Sequence, residues 1–281
     1  MTTAEKFRSL QLSLTPDYGE REAFIITNMA LEKITGKRNN ESNDLLLSMD
    51  EEIMANHFLA QLLNHRPIQY VLNEAWFQNM KFYVDENVLI PRPETEELVE
   101  WIVKDQKNKA AFTILDIGSG SGCIPVSLAK KLPQAAIHSC DISAEALLVA
   151  QKNAYEMNAA VSWHHTDFLQ EKNWTTLPIP DVIVSNPPYI PQIGRLQMDP
   201  HVVDYEPAVA LFVPDENALV FYTAIAKYAM QYCAATTSIY VEIHEELADA
   251  VRAVFVKAGL TNIEIRNDMQ DRERMVKAIR P

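Results

Sequence analysis

Thr113-Ile114-Leu115-Asp116-Ile117-Gly118-Ser119-Gly120-Ser121-Gly122 is the stretch whose reading decides the fold. Its first five residues read as a short buried strand, and its glycines read as a tight passage from strand to helix. The chain has only seven glycines, and three of them fall here. Where no Cβ projects, a ligand can approach the backbone closely. In open α/β sheets, ligands bind beyond the carboxyl ends of strands. Asp141 ends the next strand, 19 residues after Gly122, where a carboxylate can accept hydrogen bonds from both hydroxyls of a ribose. The spacing is Gly-x-Gly-x-Gly rather than the dinucleotide Gly-x-Gly-x-x-Gly, and the loop holds no cation for a pyrophosphate. A methyl-donor site, a dinucleotide site and a bare tight turn are all compatible with the loop alone, and the spacing departs from the second.

Outward from the loop, strands and helices alternate. Helices are expected over 124–131, 144–158, 217–232 and 245–258, and strands over 136–141, 161–165, 181–185 and 238–243. Residues 262–266 and 274–279 read as a terminal hairpin, with the charged run 268–274 around its turn. The pattern implies α/β architecture: a mainly parallel sheet covered by helices on both faces, ending in an antiparallel hairpin. Pro125 falls near a helix start, where a missing N–H costs little, and reads as structural.

Upstream, residues 1–70 read as a small helical bundle. Phe24, Ile25, Met29 and Ile34 suit one helical face, Gly36 supplies a stop, and Ser48 to Glu51 has capping-box form. Residues 71–90 turn aromatic and β-branched, reading as a hairpin that turns at Asp85-Glu86-Asn87. A helix is expected from Glu94 to about Val103, within a third segment, 91–281.

Asn186-Pro187-Pro188-Tyr189 directly follows the fourth strand of the alternating part. Two prolines stop helix and strand alike and stiffen the chain. The Asn186 side chain and the Pro187 carbonyl can then act as rigid acceptors, with the Tyr189 ring as a stacking face. A planar NH₂ group has a delocalised lone pair and is a weak nucleophile. Two acceptors on its N–H groups orient the lone pair and stabilise the positive charge that develops during transfer, and one such bond contributes ~3 kcal/mol. The motif suits a glutamine amide and an adenine amine equally. Asp167-Phe168 ends the third strand of this part, a place that resembles the one where methyltransferases of this architecture receive an adenine amine on an acid and cover the ring with an apolar neighbour; a strand-end acid with a core ring is the plainer reading.

Twenty-five Lys and Arg face 38 Asp and Glu, a net charge of −13. No basic cluster offsets it, so direct nucleic-acid binding is not expected. Three unspaced cysteines, Cys123, Cys140 and Cys233, read as free thiols in a reducing compartment. No apolar run is long enough to span a bilayer and no signal-peptide core stands at the start, so the cytoplasm is the default location. His164 and His165 adjoin on a strand and face opposite ways, while His201 and His244 have no partner at metal spacing; no metal is expected. Glu242 sits near a strand end and could approach the site, with strand-end solvation the favoured reading, and Glu245-Glu246 reads as a solvated helix face.

On these motifs the chain resembles the HemK/PrmC family of protein-(glutamine-N5) methyltransferases, which modify peptide-chain release factors. The resemblance runs through Arg66 to Tyr70, Leu89 to Glu96, Asp116 to Gly122, Asn186 to Tyr189 and Tyr205-Glu206-Pro207, nearly the full length. It implies a Rossmann-like class I methyltransferase domain that uses S-adenosyl-L-methionine. Implied cofactor contacts are Gly118, Ser119, Gly120, Ser121, Gly122, Asp141, Asp167, Phe168 and Asn186. Implied substrate contacts are Asn186, Pro187, Pro188 and Tyr189, with Asn186, Pro187 and Tyr189 catalytic. The implied substrate is the glutamine of the Gly-Gly-Gln motif and the implied partner is a release factor; the helical segment 1–70, separate in composition, is the candidate grip for selecting one glutamine among many, and a monomer is expected. Asn73 stands where the family usually has glycine, and Pro125 where it has a small residue. An adenine-N6 methyltransferase of nucleic acid, a methyltransferase of a ribosomal-protein glutamine and a catalytically silent cofactor binder are the alternatives.

Overall fold

The computed structural model describes residues 1–37 and 45–281, so the part of the helical reading that covers 38–44 lies outside the described residues. The chain divides into two compact units. One comprises Met1–Glu74 with Asp199–Tyr205, the other Ala75–Met198 with Glu206–Pro281.

In the first unit, α1 (Thr3–Thr35) breaks at Gly19, whose φ of 73° is non-helical. Thr2 and Glu5 form a capping box at its start, and Gly36 ends it in left-handed conformation, the stop expected from sequence. The α2 helix (Met49–Leu63) begins on the Ser48–Glu51 capping box, and α3 (Ile68–Leu72) ends at Asn73. Asn73 takes φ 53°, a left-handed conformation that asparagine tolerates. Leu14, Ile26, Phe58, Leu62 and Leu72 form the small core. The segment 199–205 folds onto the end of α2: His201 Nδ1 donates to the His65 carbonyl at 2.6 Å, and the Tyr205 hydroxyl to the Asn64 carbonyl at 2.5 Å.

The second unit opens with the antiparallel pair β1 (Ala75–Phe77) and β2 (Met80–Phe82). Its turn is Gln78-Asn79, both with positive φ, as a two-residue hairpin requires. The sequence places that turn at 85–87 instead. Asp85 Oδ1 does accept the Asn87 N–H at 3.0 Å, but strand pairing has already ended. The reason is Asn153, whose Oδ1 accepts the Tyr83 N–H at 2.7 Å and whose Nδ2 donates to the Tyr83 carbonyl at 2.9 Å. That one buried amide replaces a strand partner.

Then follow α4 (Pro93–Gln106), β3 (Phe112–Ile117), α5 (Cys123–Lys131), β4 (Ala135–Asp141), α6 (Ala144–Glu156), β5 (Ser162–His165) and β6 (Val182–Ser185). After a short pairing of β7 (Ile190–Pro191) with β8 (Phe212–Val213) come α7 (Val220–Tyr232), β9 (Ser238–Glu242), α8 (Ala248–Ala258), β10 (Thr261–Asn267) and β11 (Glu273–Ile279). The seven-stranded sheet has the order β10-β11-β9-β6-β3-β4-β5. Five strands run parallel, and the β10–β11 hairpin joins antiparallel through β9, as the alternation implied. Leu115, Ile117 and Ile183 enter the core on one face, while Ile114, Val182 and Val184 enter the core on the other. Both faces are therefore dry, which matches the near-continuous apolar strands of a parallel sheet.

Chain order steps outward from β3 to β4 and β5, then returns to place β6 on the other side of β3. Such a reversal opens a crevice beyond the strand ends. The glycine loop follows β3, and Asn186 follows β6.

Candidate active site

The glycine loop is held by the end of β4. Gly118 N–H and Ser119 N–H both donate to the Cys140 carbonyl, at 2.9 and 3.1 Å. Gly120 N–H donates to Asp141 Oδ2 and Ser143 N–H to Asp141 Oδ1, each at 2.9 Å. Each carboxylate oxygen has taken one bond and keeps a lone pair for a ligand hydroxyl. Below the loop, Asp116 is fully buried. The Ser139 hydroxyl donates to its Oδ2 at 2.5 Å, and Ser119 Oγ lies 2.6 Å from Ser139 Oγ. Its Oδ1 has no partner among the described residues, and burial pushes its carboxyl well above the usual range.

A cavity of about 280 Å³ opens here. Gly118, Ser119, Gly120, Ser121, Asp141, Asp167, Phe168, Asn186, Pro187 and Pro188 line it, together with Pro91, Arg92 and Thr95. Gly122 and Tyr189 lie off this lining. Gly122 has φ +80°, and a Cβ there would stand 3.0 Å from the Ala150 Cβ, so this glycine lets α6 approach the loop. The Tyr189 ring leans on His244 at 5.9 Å between centroids, and burial together with Glu242 pushes its hydroxyl up. Phe168 serves two purposes: it touches the cavity and packs its ring against Trp174 and Tyr228. Asp167 Oδ1 accepts the Leu169 N–H at 2.9 Å, which fixes the strand-end turn.

Asn186 is placed by two neighbours. The Ser185 hydroxyl donates to the Ile117 carbonyl at 2.6 Å, tying the end of β6 to the end of β3. Asn186 Nδ2 donates to Thr95 Oγ1 at 3.0 Å, and Thr95 Oγ1 donates to Glu242 Oε2 at 2.6 Å. The sequence reading of Glu242 as a solvated strand end is corrected: its side chain is buried among Thr95, Asn186 and Arg274. The available signal was a carboxylate inside the apolar run Ser238–Ile243. Thr95 and Glu206 stood in the quoted motifs without assigned roles. Glu206, also buried, accepts the Ile90 N–H at 3.1 Å and pairs with Arg92 at 2.5 Å, holding the segment that lines the cavity.

His164 and His165 do point apart. His164 Nε2 lies 3.0 Å from His138 Nδ1, and His165 Nε2 donates to the Ile142 carbonyl at 2.9 Å. Among the described residues no three His, Cys, Asp or Glu gather as a metal cluster.

These acceptors and walls suit a nucleoside carrying an amino-acid tail. Asp141 can take vicinal hydroxyls, Phe168 and Leu169 offer an apolar wall for a purine, Asp167 can accept from its amine, and the loop meets the tail without Cβ atoms.

Comparison with known proteins agrees. The family model described as Methyltransferase small domain matches residues 94–199. The release factor glutamine methyltransferase of Flavobacterium psychrophilum is 39% identical, over 84% of this chain and 83% of its own. That of Bacteroides thetaiotaomicron is 37% identical, over 84% of each chain. Among solved structures, the hMettl16 catalytic domain in complex with MAT2A 3'UTR hairpin 6 aligns with a TM-score of 0.57 at 14% identity, over 86% of each chain. A methyltransferase from Pyrococcus furiosus aligns at 0.51 and 14% identity, over 80% of this chain and 98% of its own. At such low identity these two structures speak for the fold. The sequence relatives go further: this chain is an S-adenosylmethionine-dependent methyltransferase and belongs to the release factor glutamine methyltransferase family.

Proposed function

We propose that the chain methylates the side-chain amide nitrogen of the glutamine in the Gly-Gly-Gln motif of peptide-chain release factors. The observation that carries this reading is Asn186 on the lining of the cavity that also holds the glycine loop and Asp141, with its Nδ2 engaged by Thr95. That engagement leaves Oδ1 for a substrate N–H.

The cofactor supplies an electrophilic methyl group when bound. Asn186 Oδ1 and the Pro187 carbonyl would accept the two N–H groups of the substrate amide and aim its lone pair at that methyl. The same two acceptors stabilise charge as it develops on nitrogen, and the loss of one costs ~3 kcal/mol of barrier. Proton loss follows transfer, because the alkylated amide nitrogen is strongly acidic. Pro187 and Pro188 hold the acceptors still, and Tyr189, whose ring packs against His244 off the cavity lining, supports the turn from behind. Asp141, Asp167, Phe168 and residues 118–122 hold or support the cofactor.

Residues 1–70 serve in this reading as the release-factor grip, 71–90 as the link and 91–281 as the methyltransferase domain. Exposed Leu46, Met49 and Ile53 on the helical unit suit a protein partner. Every group invoked comes from one chain, so a monomer suffices. Among the described residues no helix is long and apolar enough to cross a membrane, and the three cysteines are free, which supports a place beside the substrate in the cytoplasm. The net charge of −13 weighs against a nucleic-acid substrate.

The test offers labelled methyl donor to a purified release factor, to its Gly-Gly-Ala variant and to DNA. Label on the intact factor alone supports the reading. Equal labelling of the variant, or labelling of DNA, overturns it.

A further inference from the structure

The hydrogen bonds behind Asn186 have a direction. An amide nitrogen has hydrogens and no free lone pair, so Asn186 Nδ2 donates to Thr95 Oγ1. The single hydrogen of Thr95 Oγ1 then points at Glu242 Oε2. An ionised carboxylate only accepts, so its presence at the end of the row fixes the order amide, hydroxyl, carboxylate. Thr95 is 2% exposed and Glu242 3%, so water does not offer a substitute partner.

We propose that ionised Glu242, acting through Thr95, is the positioning group that keeps the Asn186 carbonyl oxygen facing the substrate amide, and that protonation of Glu242 releases it. The inference rests on the acceptor role given to Asn186 above and adds a control to it. A neutral Glu242 carries a hydrogen of its own and can donate to Thr95 Oγ1. Thr95 can then donate to Asn186 Oδ1. With its oxygen so engaged, the Asn186 carboxamide presents N–H groups toward the substrate N–H, and donor meets donor.

The surroundings put this change within working pH. Burial pushes the Glu242 carboxyl up to about 7, against the pull of its Thr95 bond, of Arg274 and, more weakly, of the Asn186 amide itself, while Glu94 adds to the rise. Arg274 comes from β11 and also pairs with Asp268 at 3.1 Å. Tyr189 and Tyr222 face Glu242 from the motif and from α7, and burial raises both hydroxyls. Cys123 faces it from the start of α5, with its thiol pushed up to about 12. Glu242 is therefore the member of this group whose charge changes near neutrality.

The experiment measures kcat and KM for full-length enzyme, release factor and methyl donor between about pH 6 and pH 9. The wild-type kcat should fall on the acid side with a midpoint near 7. Glu242→Gln is neutral at every pH; it should lose that limb and lower kcat by ~10-fold, with donor KM changed less than ~2-fold. Thr95→Val should also lose the limb, and Thr95→Ser, which keeps the hydroxyl, should recover most of the turnover that valine loses. An acid limb that persists unchanged in Glu242→Gln overturns the proposal. Should that variant fail to bind donor, Thr95→Val decides the matter, and a wild-type limb there overturns the proposal equally. A wild-type enzyme that does not label release factor would instead sink the proposed function, which keeps the two failures apart.

Discussion

Glu206 and Ile90 are 116 residues apart in sequence, yet the Glu206 carboxylate accepts the Ile90 amide at 3.1 Å while its other oxygen pairs with Arg92. The contact joins the two motifs 89–96 and 205–207, which look independent in the sequence. Glu206→Ala leaves a buried N–H without a partner and frees a guanidinium at the cavity wall. Unfolding in urea should show a loss of ~2 kcal/mol, and donor KM should rise. Glu206→Gln keeps one acceptor and should lose less.

The glycines of the loop should separate by role. Gly122→Ala must place a methyl 3.0 Å from the Ala150 Cβ at a φ of +80°, so both packing and backbone oppose it. A loss of ~3 kcal/mol is expected in thermal unfolding. Gly120→Ala meets nothing within 4 Å among the described residues and should cost only the ~1 kcal/mol of a left-handed alanine.

The strands, the parallel sheet, the terminal hairpin and the placement of 118–121 beside 186–188 could be read from the chain, because each rests on a local pattern: apolar runs, glycines, a proline pair. What could not be read depends on partners distant in sequence. Nothing near Tyr83 announces that Asn153 will end its strand pairing. Glu242 looks solvated in the sequence because a strand-end carboxylate usually is; its burial follows from Thr95, 147 residues away. The helical character of the first residues is legible, but the break at Gly19 escapes a sequence reading because the apolar spacing of 3–18 is weak, although Thr2 and Glu5 have the form of a capping box.

Asn186→Ala removes the acceptor proposed for the reacting amide and leaves the glycine loop and Asp141 in place. Its kcat should fall by ~100-fold or more, with donor affinity within ~10-fold of wild type, by single-turnover kinetics and calorimetry.

Asp141→Ala should act the other way. It removes the acceptor of the Gly120 and Ser143 amides and the candidate acceptor for vicinal hydroxyls. Donor binding should weaken by ~10–100-fold, the range for a charge-assisted hydrogen bond, read by calorimetry.

Glu242 should be costly to the fold at alkaline pH. Its folded carboxyl is raised to about 7, above the ordinary value near 4.5, so the native state binds its proton more tightly than the unfolded chain. Its favourable contribution is complete below the unfolded value and is lost as pH rises through the folded one. Glu242→Gln should therefore be more stable than wild type at pH ~8, by ~1–3 kcal/mol in denaturant unfolding, while turning over more slowly. Equal stability at that pH would argue that the buried charge is well compensated.

Residues 199–205 fold with residues 1–74, so the main chain passes between the two units after 74, after 198 and after 205. Neither unit is encoded by one uninterrupted stretch of gene. Deleting 1–65 would remove the carbonyls of Asn64 and His65 that Tyr205 and His201 hold, so a truncated enzyme would lose more than the deleted helices. Exchanging the helical unit between relatives accordingly requires two grafts, and a single recombination crossover would deliver a mismatched pair.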